Sequence, residues 1–138
     1  MPWICPQCNR TFKNTNQSHS CVKKSLDAHF IRKEPRVRAT YDVLESQLKT
    51  IIDFQISPVL NAIMFTTETT FLVLKPKKSW INLEFVLDYE ISEFPIHKTV
   101  KVSNTRIAHF VRIQEPKDID DQLVDWIVNA FRLISKNG

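Results

Sequence analysis

The chain has 138 residues, 43% of them hydrophobic, with 19 Lys plus Arg against 15 Asp plus Glu. That is the size and balance of one globular domain, or of a small domain with a short appendage. It holds a single glycine, Gly138, where average usage of about 7% predicts roughly ten. A P-loop, a dinucleotide fingerprint and a nucleophile elbow each need Gly where the backbone takes positive φ or meets a ligand closely, so the sequence argues against most large nucleotide-using enzyme classes.

The charge is uneven. Residues 1–40 carry eight Lys/Arg against Asp27 and Glu34, a net of +6, while the remainder is net −2. Such asymmetry suits a basic arm that approaches phosphates or an acidic surface; a solubilising basic surface is the plainer reading. No apolar run approaches the roughly 18 residues of a membrane span, and Met-Pro-Trp-Ile-Cys is not a signal peptide, so a cytoplasmic protein with no membrane partner is expected.

Residues 1–24 are polar and lack aliphatic periodicity, so they cannot bury a core unaided. From Ser25, a plausible N-cap, Leu26, His29 and Phe30 share one helical face. Pro35 reads as the first-turn proline of a second helix, with an apolar stripe Val37, Tyr41, Leu44, Leu48, Ile51. After Pro58 the texture becomes β: Val59–Phe65, Thr69–Lys75 and Trp80–Asp88 are rich in β-branched and aromatic residues. In the third, Ile81, Leu83, Phe85 and Leu87 on one face alternate with Trp80, Asn82, Glu84 and Val86 on the other. Lys98–Ser103 and Arg106–Gln114 form a hairpin about Asn104-Thr105, with Ile107, His109, Val111 and Ile113 on one face of its second arm. Asp118 then caps a last helix whose buried stripe is Ile119, Leu123, Trp126 or Ile127, Ala130 and Ile134. The fold class predicted is α+β. About five mainly antiparallel strands are covered by N-terminal and C-terminal helices, with residues 1–24 as a small zinc knuckle and 25–138 as the α+β domain.

The knuckle rests on Cys5 and Cys8, two residues apart, with His19 and Cys21 after them. Three thiolates and one imidazole complete a tetrahedral set for Zn²⁺, and four protein ligands leave no open position, which makes such a site structural. Metal binding would then order a segment too polar to fold alone. Two other readings stand beside it: a redox dithiol, although nothing precedes this Cys-x-x-Cys to place it in a βαβ unit, and incidental cysteines in a tail. The W-x-C-P-x-C-x-R-x-F stretch from Trp3, followed by Q-x-H-x-C from Gln17, resembles the N-terminal signature of a family of small bacterial proteins. In that family a zinc-finger-like head precedes an α+β domain of unknown function. Pro76–Trp80, the Leu83-Glu84-Phe85 strand, the Arg106–Ile113 strand and the closing D-x-x-L-x-x-W helix are also similar to it. The resemblance implies zinc ligands at Cys5, Cys8, His19 and Cys21; Asn9 stands where such heads usually have Gly.

Lys75, Lys77, Lys78 and Trp80 make a basic turn with an aromatic beside it, suited to phosphates and a stacked base, or else a solvated turn with lysine stems on apolar surface. Arg106 and Arg112 flank Phe110 on one strand face. Uncovered, that face would suit an anionic or single-stranded ligand; covered, the arginines are rim residues. His109 falls in the apolar set, where a lone histidine is more often a hydrogen-bonded core residue than a catalyst. No residue pattern points to catalysis. The expectation is a zinc-bearing binding module for nucleic acid or another anionic partner. The alternatives are a small-molecule sensor or enzyme with a pocket between sheet and helices near Trp80 and His109, and an adaptor with an exposed apolar patch.

Overall fold

The computed structural model describes residues 3–4, 11–12 and 25–137. The proposed zinc ligands Cys5, Cys8, His19 and Cys21 lie outside the described residues. Near the N-terminus, β1 (Trp3–Ile4) pairs antiparallel with β2 (Thr11–Phe12), Trp3 opposite Phe12.

The expected helix from Ser25 is only a 3₁₀ turn, Asp27–Phe30, whose Ala28 N–H is accepted by Ser25 Oγ at 3.1 Å. It cannot run on into the next helix, because Glu34 precedes Pro35 and is held extended at φ −61°, ψ 141°. Helix α1 (Pro35–Lys49) does begin on that proline. Val37, Tyr41, Leu44 and Leu48 are fully buried, but the stripe stops there. Ile51 lies past the helix end and is exposed, and Ile52 turns toward the core in its place.

Six strands follow, one more than expected: β3 (Gln55–Pro58), β4 (Ile63–Thr66), β5 (Thr70–Pro76), β6 (Ile81–Leu87), β7 (Ile96–Ser103) and β8 (Arg106–Ile113). Their order in space is β3-β4-β5-β6-β8-β7, with every neighbour antiparallel. The extra strand ends on Pro58, the proline after which the sequence turns to β texture. A proline is tolerated there because β3 is an edge strand and no ladder partner needs its missing N–H. The run Val59–Phe65 is not one strand either, since a turn closed by Val59 N–H to Ala62 O at 2.8 Å takes its first half.

Helix α2 (Asp121–Asn137) packs on β5 and β6, and α1 leans on α2 and on the 3₁₀ turn Pro116–Asp118. Asp118 does not cap α2. Its Oδ2 accepts the N–H groups of Gln114 at 2.7 Å and Glu115 at 3.0 Å, closing the turn that Pro116 starts, and Asp120 Oδ1 caps α2 by accepting Leu123 N–H at 2.9 Å. Ladder register sets the two faces of the sheet. Ile63, Leu74, Leu83 and Val111 form one row across four strands, and Phe65–Leu72 and Ile81–Ile113 lie on the same side. All are buried with Phe54, Phe71, Leu123, Ile127 and Ala130 in one core.

The link from β6 to β7 completes this inner layer. Leu87 ends β6 level with Ile107, but Ile96 starts β7 level with Val111, four residues or about 13 Å further along β8. Residues 88–95 must therefore run back across β8 as a strap. They do so on the inner face: Ile91 is buried there, Tyr89 Oη accepts from Asn129 Nδ2 at 3.2 Å, and Glu93 Oε2 accepts from Gln122 Nε2 at 3.0 Å, both partners being on α2.

Candidate functional site

With both helices and the strap on one side, no described helix covers the other side of the sheet. Register places Lys75, Asn82 and Arg112 in one row of that outer face. The next row holds Val73, Glu84, Phe110 and Lys98. Cross-strand neighbours in such a row stand about 5 Å apart, so these side chains share one surface. Trp80 enters the same face from the start of β6, its Nε1 donating to Asn82 Oδ1 at 3.0 Å.

Each aromatic ring here is capped by a cation. The Arg112 guanidinium carbon lies 4.5 Å from the Trp80 ring centroid, and Lys98 Nζ lies 5.2 Å from that of Phe110. Between them is a depression of about 300 Å³ lined by Lys75, Lys77, Glu84, Lys98, Phe110 and Arg112. Four positive side chains thus meet one carboxylate, and among the described residues none of the four forms an ion pair. Exposed cations flanking half-buried aromatic rings can neutralise phosphates while offering flat faces to bases.

Of the residues singled out in the sequence, Lys75, Lys77, Trp80 and Arg112 come together here. Lys78 does not join them: it is exposed on the β5–β6 turn, and its carbonyl accepts Glu34 N–H at 2.9 Å, fastening the start of α1 to that turn. Arg106 sits at the far end of β8, opposite Ser103, with Nη1 donating to Thr105 O at 2.8 Å. Lys98, Asn82, Glu84 and His97, which also lines the depression, were not anticipated. Lys98 reaches the outer face only because a bulge near Val102 shifts the hairpin by one residue.

His109 faces the opposite way. It is fully buried, its ring stacks on Phe85 with centroids 5.6 Å apart, and both nitrogens are engaged. Nδ1 lies 3.0 Å from Ile107 O, and Nε2 accepts Ile91 N–H at 3.0 Å, which fixes the neutral tautomer with its proton on Nδ1. Burial pushes its pKa below the ordinary histidine value, against the smaller opposing pull of the Ile107 carbonyl and Glu90. Trp80 and His109 therefore lie on opposite faces of the sheet and do not line one pocket.

Among the described residues no group of three or more His, Cys, Asp or Glu could hold a metal ion, and no helix is long and apolar enough to cross a membrane. The β1–β2 pairing does bring Ile4 opposite Thr11, so residues 5–10, which include Cys5 and Cys8, connect two paired strands. A family model described as "Domain of unknown function (DUF5655)" matches residues 26–134, from the 3₁₀ turn before α1 through the sheet and most of α2. No curated protein and no solved structure matches the chain.

Proposed function

The chain belongs to the DUF5655 family, a domain of unknown function, and from its open sheet face we propose a non-catalytic binding module that takes single-stranded nucleic acid. The observation that carries this reading is Phe110 set among Lys98, Lys75 and Arg112 on a face that no described helix covers. An open sheet with ring platforms receives unstacked bases, whereas a duplex hides its base faces. On ligand binding, Lys98 and Arg112 leave the rings they cap and pair with phosphates, and the rings take bases in their place.

The same reading includes a structural Zn²⁺ held by Cys5, Cys8, His19 and Cys21. The donor chemistry and the Cys-x-x-Cys spacing support it, as do the two paired strands that flank Cys5 and Cys8. The ion would supply folding energy to the basic N-terminal segment and no reactivity.

Fluorescence anisotropy with labelled single-stranded RNA, single-stranded DNA and duplex DNA tests the binding. Single strands should bind more tightly than duplex. Three phosphate contacts predict a slope of about −2 for log affinity against log salt, and Arg112→Ala should flatten that slope by roughly 0.7. Absence of binding to every probe at low salt would overturn the reading.

A further inference from the structure

The basic depression does not end at the sheet. Its walls His97 and Arg112 also form one side of a second cavity of about 580 Å³ at the sheet end, beneath Phe94. That volume is within the range of small-ligand sites. Phe94 is 89% exposed, the most exposed of the large apolar side chains in the described residues, and its ring lines the cavity mouth.

The cavity is more acidic than the sheet face, with two carboxylates against Arg112 and Lys117. Asp118 and Asp120 lie there, each with one oxygen already committed: Asp118 Oδ2 to the Gln114 and Glu115 N–H groups, Asp120 Oδ1 to Leu123 N–H. Asp118 Oδ1 and Asp120 Oδ2 accept no hydrogen bond among the described residues. Lys117 lines the same cavity but is paired with Glu115 Oε2 at 3.3 Å, so the two aspartates disfavour a phosphate beside them. A base edge that donates is not disfavoured, since aspartate accepts from an exocyclic amine and is repelled by a base carbonyl oxygen at the same place.

We propose that the cavity beneath Phe94 is a second nucleotide subsite, continuous with the sheet face, which stacks a base on Phe94 and prefers a base bearing an exocyclic amine (cytosine, adenine or guanine) to uracil, which has none. His97 and Arg112 hold the phosphate between the two subsites. This rests on the single-strand reading above and gives it a base preference.

The test is anisotropy on the full-length chain, purified under reducing conditions without chelator, with labelled oligouridylate, oligocytidylate and oligoadenylate of equal length. Wild type should prefer the cytidine and adenosine probes to the uridine probe by about tenfold. Asp120→Asn keeps an oxygen for the α2 cap, because Asn caps as well as Asp, but offers an amide donor toward the cavity. It should erase the preference, and any uniform gain from the lost charge cancels in the ratio. Phe94→Ala should weaken the amine-bearing probes by about tenfold while its unfolding midpoint stays that of wild type. Equal affinity of wild type for all three probes, or full affinity in Phe94→Ala, overturns the subsite and leaves the sheet-face reading standing. Failure of wild type to bind any probe overturns both.

Discussion

His109 Nε2 accepts the backbone N–H of Ile91 at 3.0 Å, so one side chain of β8 holds the strap that carries the chain from β6 to β7. The strap belongs to no strand, and this buried bond supplements its exposed contacts to α2. His109→Phe preserves the ring stacked on Phe85 but leaves the Ile91 N–H buried without an acceptor. The expected loss is about 1–3 kcal/mol by denaturant unfolding. Stability equal to wild type would show that the strap does not depend on that bond.

The same histidine sets a pH dependence. Its folded pKa is depressed by burial, while the unfolded chain takes the proton near 6.5. Below that value the unfolded state binds more protons than the folded one, so stability rises with pH across this window. The His109 contribution is complete above about pH 6.5 and is lost as acid approaches the depressed value. Unfolding midpoints measured from neutral to mildly acid pH should fall for wild type and fall less for His109→Gln. Parallel curves would assign the acid sensitivity elsewhere.

Helix α1 offers a sharper test of packing. Leu44 is fully buried and Ile51 is 52% exposed, although both fit one helical stripe in the sequence. Leu44→Ala should cost about 2–5 kcal/mol through lost burial and the cavity left behind. Ile51→Ala should stay within about 0.5 kcal/mol. Similar losses at both positions, read by thermal or chemical unfolding, would mean that the stripe continues past Lys49.

These elements also show where a sequence is readable. The inward sets on β6 and β8 were legible because a two-residue period has one solution when one face is buried. The Pro35 start of α1 was legible from the fixed φ of proline. Lys98 was not. A plain hairpin closing at Asn104-Thr105 would put Thr99 opposite Phe110 and turn Lys98 inward. The bulge near Val102 puts Lys98 opposite Phe110 instead, and no residue type announces a bulge of this kind. The strap was hidden for a related reason. Strand order is a tertiary choice, and eight residues between two strands read equally well as a simple loop. The end cavity needed Phe94, Arg112 and Asp120 brought together from three elements, which no local pattern encodes.

The zinc proposal divides the molecule into two energetic parts, and that division can be measured. Residues 25–137 bury a continuous core of their own, so they should not need the ion to fold. The sequence of residues 1–24 is too polar to supply one, so on this proposal that segment should need the ion. Reduced, unchelated protein should contain about one Zn²⁺ per chain, matching one Cys₃His set. Cobalt substitution should give the intense visible bands of a tetrahedral thiolate site. Cys8→Ser should release the metal and raise amide exchange before residue 25, while the main unfolding transition of the sheet moves little. Metal-free protein from reducing, chelator-free purification would remove the ion from the account. A sheet that unfolds when the metal leaves would show instead that the head is part of the core's stability.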